Sequence, residues 1–147
     1  MNEHRFSDLR IGMEAEFDRI AVRGGAHITI TAKSLEDFRE LTGDVSPIHV
    51  DESYAAERGF SGRVCYGMLV SAFYSTLIGV YLPGKNALLQ EAHISMTKPV
   101  YIGDRLTVKG RITGLNEALK RVTVKAKIVR DGGETVSRAI LEAGVAE

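Results

Sequence analysis

Leu41–Val80 reads LTGDVSPIHVDESYAAERGFSGRVCYGMLVSAFYSTLIGV. Its second half decides the fold. From Val64 to Tyr81 there is no acid, no base and no proline. That span predicts one long, buried helix, on the order of 27 Å at 1.5 Å per residue. Its length lies at the low edge for crossing a bilayer. Gly67, Ser71, Ser75, Thr76 and Gly79 lower its apolar content further. It reads as a core helix that needs a sheet to cover it.

The first half reads as punctuation. Gly43 is placed to cap a helix that opens at Ser34-Leu-Glu-Asp37, a capping-box pattern with Asp in the last position. Pro47 makes Asp44–His49 a loop. Asp51 is placed to cap a short helix, Glu52–Arg58, that Gly59 closes.

Outward from there, period-two patterns take over. Upstream, residues 1–11 read as a polar lead-in, Met13–Val22 as a strand, Arg23-Gly24-Gly25 as a turn and His27–Thr31 as a second strand. His27 alternates with Thr29 and Thr31, opposite Ile28 and Ile30, which places it on a surface or edge. Downstream, Leu82–Lys85 is a turn, and alternation resumes from Ala87 to the end. Leu106, Val108 and Ile112 share one face. So do Val122, Val124, Ala126 and Ile128, and then Ala139, Leu141, Ala143 and Val145. Asp131-Gly132-Gly133 is a hairpin turn. Strands gathered after helices indicate an α+β fold with an antiparallel sheet, not βαβ units. With no repeat or linker, residues 1–147 read as a single domain.

Composition narrows the class. The chain has 147 residues, with 19 basic and 19 acidic side chains. No basic excess points to nucleic acid, and no membrane segment is indicated. The N-terminus has no apolar run of the signal-peptide kind. One cysteine, Cys65, excludes an internal disulfide and fits a reducing, cytoplasmic setting.

Two places in the sequence carry chemistry. Asp44 and His49, five positions apart, set an acid and an imidazole in one short loop. Such a pair can hold a water and move its proton near neutral pH. The bland alternative is that Asp44 caps local backbone and His49 makes a structural hydrogen bond. The other place is the start of the long helix, where Gly67 begins a stripe of small residues with Ser71, Ser75 and Gly79. A glycine at a helix N-terminus lets a carbonyl approach unpaired N–H donors. Ordinary helix-on-sheet packing through small residues is the competing explanation. Cys65 reads as buried and inert. There is no nucleophile elbow, phosphate loop or metal-spaced cluster, so no metal and no cofactor is expected.

The residues Asp44-x-x-Pro-x-His49-x-Asp51, then Tyr66-Gly67-Met68 and Ser75, then Lys98-Pro99-Val100 with Gly103-Asp104, resemble the MaoC-like dehydratases, or (R)-specific enoyl-CoA hydratases. The resemblance runs from about Phe6 to Val145. It implies a hot-dog fold, an antiparallel sheet wrapped around one long central helix, in a homodimer. It also implies syn addition of water across a trans-2-enoyl thioester of coenzyme A or acyl carrier protein, giving an (R)-3-hydroxyacyl thioester. By resemblance, Asp44 and His49 are the catalytic pair and the Gly67 N–H polarises the thioester carbonyl. Ser75 lines the site and supports the loop, and Tyr66 and Met68 are substrate-binding positions. Two residues depart from the pattern. Ser46 stands where the family often has Asn, and Tyr66 stands where it often has His.

Two other readings remain open at this level. An acyl-CoA thioesterase on the same fold would place an acid on the long helix, and Val64–Tyr81 has none. A non-catalytic acyl-binding module would lack Asp44 or His49, and both are present.

Overall fold

Four α-helices and seven strands make up most of the regular structure of the computed structural model, which describes residues 1–20, 24 and 26–147. In chain order the first strands are β1 (Glu14–Phe17), β2 (Arg19–Ile20) and β3 (Ala26–His27). Helices α1 (Ala32–Thr42), α2 (Pro47–Val50), α3 (Glu52–Glu57) and α4 (Gly67–Thr76) follow. Strands β4 (Ala87–Met96), β5 (Leu106–Asn116), β6 (Arg121–Arg130) and β7 (Thr135–Val145) complete the chain. The main sheet is antiparallel throughout, in the order β1-β5-β6-β7-β4. β2 and β3 form a separate ribbon.

The alternation read from the sequence sets the inner face. Leu106, Val108 and Ile112, Val122, Val124, Ala126 and Ile128, and Ala139, Leu141, Ala143 and Val145 are all buried. They share a core with Val70, Tyr74, Leu77 and Ile78 of the central helix. Two contacts fix that helix on the sheet. Gly110 of β5 leaves room for the Leu77 side chain. Across the core, the buried Tyr74 hydroxyl donates to Ser137 Oγ at 2.9 Å. Both partners are out of water, so the bond leaves neither unsatisfied.

The long helix is shorter than its apolar run. Val64 bridges to Tyr101, and the Cys65 N–H donates to the Val100 carbonyl at 2.7 Å. These extended contacts hold residues 64–65 against the sheet, so the helix begins at Gly67 instead of Val64. Its last turn, Leu77–Tyr81, is π-helical and closes with the Leu82 N–H on the Leu77 carbonyl at 2.7 Å. Tyr81 then stacks on Phe17 of β1, with ring centroids 4.3 Å apart. No helix among the described residues is long and apolar enough to cross a membrane.

Other boundaries also move. α1 starts at Ala32, because Thr31 and Ser34 cap one another reciprocally, so Thr31 ends no strand and Ser34 is the third helical residue. Asp37 instead pairs with Lys33 one turn back. Gly43 closes α1 in the left-handed conformation, as its position suggested. α3 ends at Glu57, one residue before Arg58. The N-terminal residues are more than a lead-in, since Phe6 and Leu9 are buried in the core. Met13–Val22 is broken into β1 and β2. Residues 21–23 and 25, in that strand and the turn read after it, lie outside the described residues. His27 is half-buried beside Asp18, its Nδ1 3.2 Å from the carboxylate, which agrees with an edge position.

Candidate active site

The Asp44–His49 segment is held at both ends. Its first end follows the Gly43 cap, where Asp44 Oδ1 accepts the Ser46 N–H at 3.0 Å. The Ser46 hydroxyl makes no capping bond, so the Asp44 carboxylate supplies this local support. Pro47 is then the first residue of α2, where its missing N–H costs nothing. His49 therefore sits on a single helical turn, not in irregular loop.

Orientation of the imidazole comes from the chain just ahead of the central helix. His49 Nδ1 lies 2.7 Å from the Val64 carbonyl oxygen. A carbonyl only accepts, so Nδ1 carries the hydrogen and Nε2 of the neutral ring keeps its lone pair. The Val64 N–H donates in turn to the Ile48 carbonyl at 3.1 Å. These two bonds zip α2 to residue 64.

His49 and Gly67 line one cleft of about 320 Å³, within the usual range for a small-molecule site. Phe60, Val64, Cys65 and Val70 share the wall with Met96–Val100 at the end of β4. Gly67 opens α4, and its N–H has no acceptor within the helix. Among the described residues no other group takes it. An imidazole with a free lone pair and an open backbone donor thus face the same small space.

The other expected residues are placed as follows. Asp44 is exposed and does not line this cleft. Met68 points to solvent, 67% exposed. Ser75 is exposed two turns along α4, and no hydrogen bond joins it to residues 44–49. Tyr66 is only 2% exposed and stands behind the cleft wall instead of in it. Its hydroxyl donates to the Asp44 carbonyl at 2.7 Å. Burial, with the nearby Asp44 charge second, raises the Tyr66 phenol above its ordinary value.

Cys65 lines the cleft but is chemically quiet, because burial, helped by the Asp104 charge, pushes its thiol up to about 12. Gly103-Asp104 is turn chemistry. Asp104 Oδ2 accepts the Tyr101 N–H and an Arg130 N–H, each at 3.0 Å, and the Gly103 N–H donates to the Ile30 carbonyl. The contributions of Phe60, Val70 and Met96 were not foreseen. Nothing in their local pattern separates a cleft wall from ordinary core.

A five-stranded antiparallel sheet around a central helix, with a histidine and a helix N-terminus sharing a cleft, defines a protein of the hot-dog class. Within that class the chain belongs to the MaoC-like domain family, whose model matches residues 20–133. It is 33% identical over 139 residues to the (R)-specific enoyl-CoA hydratase of Rhodospirillum rubrum, covering 90% of each chain. It is 31% identical over 125 residues to the (R)-specific enoyl-CoA hydratase of Aeromonas caviae, covering 85% of this chain and 87% of the relative. The unliganded R-hydratase of Pseudomonas aeruginosa matches with a TM-score of 0.83 at 27% identity, over 97% of this chain and 86% of that one.

Proposed function

We propose that this chain is a hydro-lyase, an (R)-specific enoyl-thioester hydratase acting reversibly on trans-2-enoyl-CoA. One observation carries the reading: a histidine with a free Nε2 lone pair and the unclaimed N–H of Gly67 share a single cleft. Hydration needs both. Water adds its oxygen to C3 and a proton goes to C2, while negative charge builds transiently on the thioester oxygen. The Gly67 N–H stabilises that oxygen, by about 3–4 kcal/mol if it matches a typical oxyanion donor. His49 lines the cleft, and Asp44, outside it but at the other end of the same turn, is proposed to share the two proton transfers with it; delivery of both from one face gives syn addition. Coenzyme A is the favoured carrier, because relatives that match 85–90% of this chain are named as enoyl-CoA hydratases and a 3-hydroxybutyryl-CoA dehydratase.

The active form is proposed to be a homodimer of single-domain chains. β4 is an edge strand of ten residues, and its outer edge has no partner strand among the described residues. It carries Leu88, 69% exposed, and the half-exposed Met96. A long edge of this kind calls for a cover, and a second copy supplies one by joining sheet to sheet. Light scattering at micromolar concentration checks this, with twice the chain mass expected.

The deciding assay follows the enoyl-thioester ultraviolet absorbance of crotonyl-CoA, with chiral analysis of the product. (R)-3-hydroxybutyryl-CoA is expected from the unmodified protein. Asp44→Asn and His49→Ala should each lose about two to four orders of magnitude in turnover. Near-normal turnover in either variant would remove that residue from the pair. Thiol release from saturated acyl-CoA without hydration would replace the hydratase with a thioesterase.

A further inference from the structure

Residues 64–66 grip the catalytic turn at three points. The Val64 N–H holds the Ile48 carbonyl and the Val64 carbonyl holds His49 Nδ1. The third point is Tyr66, whose hydroxyl holds the Asp44 carbonyl at 2.7 Å. The Tyr66 ring also packs against the His49 ring, with centroids 4.1 Å apart and planes tilted by 35°. It also meets Phe38 of α1, with ring centroids 4.8 Å apart. Tyr66 thus touches both ends of the Asp44–His49 turn, and it immediately precedes the N–H of Gly67.

We propose that Tyr66 is a positioning residue: its phenol and ring lock Asp44 and His49 in fixed relation to the Gly67 donor. The proposal rests on the hydratase reading for its kinetic readout, but its structural readout is independent of it. Tyr66 touches no substrate, since it lies behind the cleft wall. It works because three groups that act on one bound molecule must keep their spacing, and displacement of about 1 Å can cost two orders of magnitude in rate. Its raised phenol stays protonated through the neutral range, so the donor is always present. A purely structural part predicts a different outcome. Asp44 is exposed, so water replaces a lost phenol on its carbonyl and the fold loses little. What goes is the restraint on position.

Tyr66→Phe deletes the hydroxyl and keeps the ring. Three measurements are made on this variant and the unmodified protein: crotonyl-CoA kinetics, amide hydrogen–deuterium exchange and the melting temperature. Expected are a fall in kcat of about 10- to 100-fold, a KM within about twofold, and a melting temperature within a few degrees. Amides of residues 44–50 should exchange faster while those of β5–β7 do not change. Unchanged kcat, a loss confined to KM, or a collapse of the melting temperature that accounts for the lost activity would each overturn the proposal. If the unmodified protein hydrates no enoyl thioester, the hydratase reading falls by itself. The exchange data then decide alone: faster exchange in 44–50 supports the clamp, and unchanged exchange removes it.

Discussion

Gly67→Ala separates the catalytic from the packing role of the helix N-terminus. Gly67 is not among the glycines with positive φ, so alanine can adopt its backbone conformation. A Cβ built there lies 3.3 Å from Met96 Cγ and 3.7 Å from its Cε and Sδ. The first distance is a few tenths of an ångström too tight. Met96 is an unbranched side chain, 45% exposed on an edge strand, and it can move by that amount. Alanine also gives up less backbone entropy on folding, worth about 0.4–1 kcal/mol at a compatible site. The two effects oppose one another, and the melting temperature should stay within a few degrees of the unmodified protein. Activity should not survive so well. The methyl group enters the cleft where a thioester oxygen must approach the Gly67 N–H. Loss of one oxyanion donor costs about 10²–10³ in turnover, or roughly 3–4 kcal/mol. The assay is crotonyl-CoA hydration beside a thermal melt. Activity within about threefold of normal at an unchanged melting temperature would show that Gly67 is not the donor. A large drop in melting temperature would show that Met96 does not yield, and the packing argument would fail.

Further experiments on Gly110 and Cys65 test the scaffold. Gly110→Ala puts a Cβ 2.7 Å from Leu77 Cδ2 and 3.2 Å from Val124 Cγ1, both on fully buried side chains. Overpacking of this kind should cost about 1–3 kcal/mol, read as a lower urea midpoint at unchanged slope. No loss would mean that the helix does not seat on β5 through this glycine. Cys65 should resist alkylation by iodoacetamide at pH 8 in the native protein and react readily in urea, because its thiol is held near 12 and it is buried. The same shift carries a sign for stability. The unfolded thiol ionises near 9 while the folded one keeps its proton to about 12, so folding is favoured less as pH rises through that window and is unaffected below it. Rapid native alkylation would contradict the burial of Cys65.

The sequence disclosed side-chain periodicity better than it disclosed main-chain partners. The inner faces of β5, β6 and β7 were legible because burial on one side of a pleat forces alternation, and Val108, Val124 and Leu141 obey it. Helix starts were less legible. Val64–Tyr66 has the same apolar character as the helix after it, and only the pairing of residues 64 and 65 with 100 and 101 takes them out of it. Pro47 was read as a barrier to helix, yet at the first position of α2 it begins one. The sequence presents Ser34 as the cap and Thr31 as the end of a strand. Their reciprocal bonds choose Thr31, a choice that depends on where the chain leaves Ile30.

The same distinction runs through the site. Asp44, His49 and Gly67 were visible as letters because their chemistry is in the residue type. The bonds that relate them are mostly not. His49 is oriented by the Val64 carbonyl, which any amino acid at position 64 supplies. The oxyanion donor is likewise a backbone N–H whose availability follows from helix geometry, not from a side chain. Side-chain identity at 64 and 67 is therefore constrained only through bulk, whereas at 66 it supplies a hydroxyl and a ring that meet both ends of the turn. A change at 66 should consequently alter rate more than a volume-conserving change at 64, even though residue 64 makes the bond nearer to the reacting histidine. Val64→Ile, which keeps the backbone bonds, provides that comparison beside Tyr66→Phe. A larger kcat loss in Val64→Ile would reverse the ranking and place the control of geometry in the cleft wall.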